Sequence, residues 1–488
     1  MNWEAVIGLE VHIELSTKSK MFCGCSTDYF TAKPNTHTCP VCLGLPGAMP
    51  KANKLAIKYT QLIGLALNCK TRTGSKFDRK NYFYPDLAKG FQISQYDLPF
   101  SENGHMFITT NGRTKKIGIT RAHLEEDTGK LIHTKLNGTR LTLVDFNRSG
   151  VPLIEIVTEP DISSSLEAKT YARNLQQVVR YLKVSDADME KGSMRIEPNV
   201  SLRKVTKGQE SMVKELPPYK VELKNINSFK FAEKAIEYEI KRQRKILESG
   251  KMPKQETRGW NETKQETVSQ RSKEEAHDYR YFPEPDLPPF AFEEKYFKSI
   301  SEEIPELPDE KRKRFTKDYS LAENDARTLT EGVELAKFFE EAAGAYKKDP
   351  KIVANWITGE VLRRLNEENK TISDSPLLPA SLAELLFLID KGEITKANGK
   401  EILANMIKTG DDPRATVIKL KVTGISDIKL EEIVIQTISR NPKAIEDYKK
   451  GKEASLMFLI GQVQRITKGQ AKPEKVREFV LRKLSEAD

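Results

Sequence analysis

The chain has 488 residues, 38% of them apolar and 31% charged, a composition that fits folded domains and excludes a collagen-like or disordered chain. The formal net charge of +10, from 80 Lys and Arg against 70 Asp and Glu, is too small an excess to name a partner by itself. No basic leader precedes Ala5-Val-Ile7, and no apolar run approaches the roughly 18 residues needed to cross a bilayer, so a cytoplasmic protein without a membrane partner is expected.

The length allows roughly two to four domains. Up to about residue 230, short runs alternate apolar and polar residues with period two, as in Val6 to Leu15, Lys116 to Glu125 and Arg140 to Asp145. Helical spacing interrupts them at Lys54 to Leu67 and Ser165 to Leu182, which predicts an α+β region with a mostly antiparallel sheet. A long helix is predicted from Phe229 to Leu247, closed by Ser249-Gly250. A polar arm over 251–282 then leads to the proline-rich stretch Pro283 to Pro289, where neither a helix nor a central strand can continue. Beyond it only helical periods remain, from Asp325 onward and at Ser381 to Leu388. In the tail, Leu456, Leu459, Ile460, Val463 and Ile466 form a stripe ended by Gly469, and Pro473 opens a last helix carrying Val476, Phe479, Val480 and Leu484. From Thr437 to the end, 12 Lys and Arg stand against 7 Asp and Glu, a bias that suits either a polyanionic partner or a solvated helical face.

Four of the five cysteines occur as Cys23-x-Cys25 and Cys39-x-x-Cys42. Two knuckles this close can supply four thiolates to one tetrahedral ion. Thiolates favour zinc, and four sulfur ligands leave no open position, so a structural Zn²⁺ site is expected. Disulfides would require an oxidising compartment. His37 is read as a bystander and Cys69 as a small core residue.

Acidic residues recur on predicted strands. Glu10, His12 and Glu14 share one face of the first strand while Leu9, Val11 and Ile13 share the other. Glu125-Glu126-Asp127 ends a second run, and Ser193, Arg195, Glu197 and Asn199 line one face of a third. Oxygen ligands converging from separate strands suit a hard divalent ion such as Mg²⁺, which keeps open positions for nucleotide phosphates. The sequence contains neither GxxxxGK[ST] nor GxGxxG, so a nucleotide site of another construction is required.

Several long motifs resemble the B-subunit family of tRNA-dependent amidotransferases (GatB). They are Glu4-Ala-Val-Ile-Gly-Leu-Glu-Val-His12, Ser75-Lys-Phe-Asp-Arg-Lys-Asn-Tyr-Phe-Tyr-Pro-Asp86, Asp145-Phe-Asn-Arg-Ser-Gly-Val-Pro-Leu-Ile-Glu-Ile-Val157, Glu222-Leu-Lys-Asn-Ile-Asn-Ser-Phe229 and Asp278-Tyr-Arg-Tyr-Phe-Pro-Glu-Pro-Asp286. Leu459-Ile-Gly-Gln462 and Thr467-Lys-Gly-Gln-Ala-Lys-Pro473 are similar to the family's C-terminal helical domain, shared with YqeY proteins. The resemblance implies an α+β, glutamine-synthetase-like catalytic cradle over 1–290 with a zinc knuckle at 23–42, a helical domain over 291–405 and a YqeY-like helical tail over 406–488.

It also implies an activity. The family is a carbon–nitrogen ligase with glutamine as amido donor. It uses ATP to phosphorylate the side-chain carboxylate of mischarged Glu-tRNA(Gln) or Asp-tRNA(Asn), and then amidates it with ammonia delivered by an amidase partner. The implied partners are that amidase subunit (GatA), a small subunit (GatC) and mischarged tRNA; the implied cofactors are ATP, Mg²⁺ and structural Zn²⁺. Carried over onto this sequence, the magnesium and phosphoryl-transfer positions are Glu10, His12, Glu125, Glu126 and Glu197, with Ser193 and Arg195 as phosphate contacts. Arg79, Lys80, Tyr82 and Lys89 mix cations with an aromatic and suit the terminal adenosine or the aminoacyl ester, although the same pattern fits a basic hairpin packing its rings inward. Lys468, Lys472, Lys475 and Arg477 are candidate tRNA phosphate contacts in the tail. The competing reading is a non-catalytic subunit that only binds and presents tRNA.

Overall fold

The computed structural model describes residues 2–205, 215–272, 279–420, 427–467 and 471–486. The chain divides into two compact units, Met1–Pro308 and Asp309–Asp488.

The first unit is organised by the strand Asn2–Glu14. Its odd-numbered residues Ile7, Leu9, Val11 and Ile13 are buried in the core, so its even-numbered residues must leave on the opposite face. This strand is the centre of a nine-stranded sheet. Across the sheet the order is Glu266–Ser272, Glu256–Asn261, Val221–Lys224, Met194–Val205, Asn2–Glu14, Pro152–Thr158, Arg113–Glu126, Ser101–Thr110 and Lys70–Thr71. Every pairing is antiparallel except Val221–Lys224 with Glu256–Asn261. The expected mostly antiparallel sheet is present.

Three helices cover the oily face: Lys54–Ala66, Ser165–Tyr181 and Phe229–Glu248. Each starts at a side-chain cap that satisfies amide groups the helix cannot bond itself. Asn53 accepts from the Leu55 and Ala56 amides at 3.0 and 3.3 Å, Ser164 from Glu167 at 3.2 Å, and Ser228 from Phe231 at 3.1 Å. The third helix closes at Gly250, whose φ of +79° is the left-handed conformation anticipated for that glycine.

The polar arm is more ordered than its composition indicated. Glu256–Asn261 and Glu266–Ser272 form the sheet edge, where Trp260 is buried and Arg258 bonds Glu256 and Thr267. Alternation was hidden there because the inward positions are held by ion pairs as well as by apolar packing. The chain remains in the first unit past the prolines: Phe282–Pro283 pairs with Asp78–Asn81, Phe290–Ala291 pairs with Gly74–Ser75, and the helix Glu294–Ser301 packs Phe297 and Ile300 with Leu62.

In the second unit all described regular elements are helical. One apolar cluster runs from Phe315 to Ile407 and includes Leu382, Leu385 and Leu386 of the helix Pro379–Asp390. A second cluster joins Leu430 and Val434 to Leu456, Leu459, Ile460 and Val463 of Glu453–Ile466 and to Val476, Phe479, Val480 and Leu484 of Pro473–Glu486. Ile466, read as part of that stripe, is exposed in the last turn of its helix. No helix is long and apolar enough to cross a membrane among the described residues.

Replacing the fully buried Ile13 by Ala is expected to cost the first unit about 2–5 kcal/mol in denaturant unfolding. Leu143→Ala, at an exposed hairpin position, should stay within about 0.5 kcal/mol of the parent.

Candidate functional site

The face of the sheet opposite the helices carries the ionisable residues in register. One row crosses four strands as Arg195, His12, Glu155 and His123, each directly opposite its neighbour. The adjacent row places Glu197 opposite Glu10, and Glu222 opposite Asn199 lies beyond it. Two groups result whose ligand atoms lie within 4.8 Å of one another: His12, Glu125 and Glu155 in one, and Glu10, Glu197 and Glu222 in the other.

In the first group, His12 Nε2 is 3.7 Å from Glu125 and 3.5 Å from Glu155, and His123 Nε2 is 3.3 Å from Glu155. Burial alone would lower the His12 pKa, but Glu155, Glu197 and Glu125 overcome it and push it up to about 9. Burial would raise Glu155, yet His123 and His12 hold it well below the usual carboxylate range. Lys80 stands near the same carboxylates. Burial opposes its charge, and Glu125 and Glu155 hold its pKa above the ordinary lysine value. Its ammonium lies 5.2 Å from the centre of the Tyr279 ring and 5.9 Å from that of Tyr82.

The second group is carboxylate-rich. Asn199 donates to Glu10 at 2.9 Å, and Lys224 lies 3.0 Å from Glu197 and 3.6 Å from Glu222. Burial, Glu155, Glu197 and Glu222 all raise the Glu10 pKa, as crowded like charge must. Two carboxylates with an imidazole, and three carboxylates together, are donor sets that a hard divalent ion can use.

The remaining anticipated positions separate. Glu126 belongs to neither group: consecutive strand residues point to opposite faces, so it turns away from Glu125, accepts from the Ile93 amide at 3.0 Å and pairs with Lys89. Arg79 is held by both oxygens of Glu284 at 2.7 and 2.8 Å and lies over Phe91. Tyr82 packs edge-on against Tyr279 and donates to Gln92 at 3.4 Å. Ser193 bonds Asp186 and accepts from the Asp188 amide, outside both groups. Arg195 faces His12 across the ladder, and its guanidinium bonds Asp127 at 2.6 Å. In the tail, Lys475 pairs with Asp427 at 2.8 Å, Arg477 is exposed and Lys472 is half-buried, while Lys468 and Gly469 lie outside the described residues.

Glu155, Glu222 and His123 were missed by the sequence reading. The sequence marked Glu155 only as the single carboxylate in the largely apolar run Pro152–Thr158; its burial, 7% exposed and costly without a compensating charge, came from the structure.

The four knuckle cysteines are also brought together, with sulfurs within 4.8 Å of one another, and His37 is not among them. Hydrogen bonding from Cys23, with Lys20 nearby, lowers the Cys42 pKa to about 4, whereas Cys69 lies apart in the core with its thiol pushed up to about 12 by burial. The knuckle is tied to the sheet. Tyr29 donates to Glu14 at 2.9 Å, and Asn147 accepts from the His37 amide and donates to the Lys33 carbonyl, both at 2.7 Å.

Residues 5–298 match the GatB/GatE catalytic domain, and residues 337–484 match the GatB domain. The chain belongs to the GatB family. Among its relatives, the B subunit of the aspartyl/glutamyl-tRNA(Asn/Gln) amidotransferase of Carboxydothermus hydrogenoformans is 50% identical over 485 residues, covering 99% of each chain. Its namesake in Caldanaerobacter subterraneus is 51% identical over 486 residues, covering 99% of this chain and 100% of the relative. The namesake in Thermodesulfovibrio yellowstonii is 51% identical over 487 residues, covering 100% of both. Both acid-rich groups of this GatB chain lie within the matched catalytic domain.

Calorimetric titration with Mn²⁺ is expected to show at least about tenfold weaker binding for Glu155→Gln. Glu126→Gln, which alters the opposite face, should leave that affinity within about twofold of the parent and lower thermal stability instead.

Proposed function

We propose that this chain performs the ATP-dependent half of tRNA-dependent amidation, acting on Glu carried by tRNA(Gln), on Asp carried by tRNA(Asn), or on both. The observation that carries the reading is the pair of acid-rich groups, His12–Glu125–Glu155 and Glu10–Glu197–Glu222, sharing one sheet face with Arg195, while Lys80 comes close to Glu125 and Glu155 from a separate three-stranded sheet. In this reading the catalytic domain, expected over 1–290, takes in the rest of the first unit to Pro308, the helices that follow as far as 405 are a connector, and 406–488 is a tail that meets tRNA.

A side-chain carboxylate resists ammonia because its charge is delocalised and oxide does not leave. Transfer of the γ-phosphoryl group of ATP to a carboxylate oxygen gives an acyl phosphate, and ammonia then attacks its carbonyl carbon with release of phosphate. The protein's share of the first step is positioning and charge neutralisation. Mg²⁺, held by the two acidic groups, would neutralise the phosphate oxygens. Lys80, with Glu125 and Glu155 close to it, is placed to meet negative charge arriving on the substrate. Arg195, fixed by Asp127, presents a rigid guanidinium at the His12 end of the row. A subunit that only presents tRNA gains nothing from carboxylates buried on an inner face, since they repel phosphates.

Ammonia must come from elsewhere. Four of the five cysteines are gathered in the knuckle, the fifth is buried in the core, and the chain has no Gly-Gly-Ser-Ser-Gly amidase signature. Glutamine hydrolysis is therefore assigned to an amidase partner (GatA), in a heterotrimer completed by the small subunit (GatC). Zinc is assigned to Cys23, Cys25, Cys39 and Cys42. Four sulfur donors suit it and leave no position for substrate, so its role is structural.

With the assembled complex, ammonium, ATP, Mg²⁺ and each mischarged tRNA, Glu125→Gln is expected to lower the amidation rate by at least about a hundredfold while complex assembly is unchanged. Full activity in that variant would remove Glu125 from the site. Charge reversal at Lys475 and Arg477 should weaken tRNA binding and flatten its dependence on salt, by about 0.7–0.9 in logarithmic slope for each phosphate no longer neutralised. An unchanged slope would take the tail out of the tRNA interface. Chelation of the metal should raise amide exchange over 145–151, the segment that Asn147 ties to the knuckle. Unaltered protection there would mean that the knuckle holds its shape without an ion.

A further inference from the structure

Lys20 is 1% exposed, and no carboxylate forms an ion pair with it among the described residues. A lysine ammonium taken out of water normally requires a nearby negative charge. The groups that meet it here are the His37 carbonyl at 2.7 Å, the Phe146 carbonyl at 3.3 Å and the Cys42 sulfur at 3.6 Å. Two neutral carbonyls solvate the ammonium without cancelling its charge. The sulfur is the partner able to carry a negative charge.

The surroundings hold the side chain in that position. The Lys20 amide donates to the Cys25 carbonyl at 3.0 Å, so the residue is anchored to the first knuckle while its ammonium reaches the second. Gly150, with a φ of +87°, borders this pocket: a Cβ built there would lie 3.5 Å from the Lys20 stem, 3.5 Å from Cys42 and 3.7 Å from the Glu126 carboxylate. Glu126, on the same side of the sheet, is already paired with Lys89.

We propose that Lys20 is the built-in counter-ion of the four-cysteine metal centre. The inference rests on the zinc reading above. A divalent ion with four thiolates carries a net charge of 2−, which a partly buried site must offset. Lys20 supplies one positive charge against Cys42 and, through the Phe146 carbonyl, fastens the centre to the turn that carries Asn147 and Arg148. Arg148 donates to the Thr128 and Gly129 carbonyls at 3.0 and 2.8 Å, just beyond Asp127. Lys20 thereby adds a buried cation to the links that join the metal centre to the end of the strand that bears Glu125.

The test measures metal affinity in the full-length chain, by competition with a chromophoric chelator and by the sulfur-to-metal charge-transfer band of the Co²⁺-substituted protein. Lys20→Gln keeps donors for the two carbonyls but removes the charge; Lys20→Met keeps the stem volume; Lys20→Arg keeps the charge. The Gln and Met variants are expected to bind zinc about 10–100-fold more weakly and to shift the Co²⁺ band, with Arg within a few-fold of the parent. If one neutral variant does not fold, the other reads the same loss. Parent affinity in a folded neutral variant overturns the counter-ion role, as does an equal loss in Gln and Arg, which would mean packing rather than charge. A parent chain that retains less than one zinc per molecule overturns the metal reading itself, a result that the variants do not affect.

Discussion

Successive side chains of an extended strand leave on opposite faces, and in Asn2–Glu14 that constraint separates a core from a reaction surface. Leu9, Val11 and Ile13 draw the three helices onto one side. Glu10 and His12 are thereby committed to the other, and the antiparallel register then brings Glu155, Arg195 and Glu197 directly opposite them. A shift of one residue in this strand would exchange the two faces and abolish both core and site. Hydrophobic packing on one face therefore fixes charge placement on the other.

Such a surface is under electrostatic tension. Glu10 faces Glu197 across the ladder, and Glu155 lies between two histidines. The compensation is visible in the protonation balance: His12 is driven towards its charged form, Glu155 is held ionised, and Glu10, with fewer cations nearby, is driven towards its neutral form. Removing one partner from a buried arrangement of this kind leaves an uncompensated charge, which costs more than the pair contributes when intact. Imidazole, Lys80 and Lys224 supply positive charge beside these carboxylates.

The knuckle and the sheet form one mechanical system within the first unit. Tyr29 reaches Glu14 at the end of the central strand, and Asn147 and Lys20 bind the knuckle to the turn preceding Pro152–Thr158. That strand carries Glu155. Hydrogen bonds thus run from the four-cysteine loop to the turn that leads into this strand.

Much of this was legible in the sequence. The alternation of the first strand, the helical spacing of Lys54 to Leu67, Ser165 to Leu182 and Phe229 to Leu247, the glycine stop at Gly250 and the spacing of the four cysteines all depend on near neighbours, so local pattern was enough to read them. So was the family, because its motifs are long and contiguous. Tertiary structure alone decided which acids meet. Glu125 and Glu126 are adjacent in sequence yet face opposite ways, Arg195 bonds Asp127, and Glu155 and Glu222 enter the site from strands that do not look acidic. Pairing register joins residues more than a hundred positions apart, and no periodicity within one strand records which neighbour the next strand will bring.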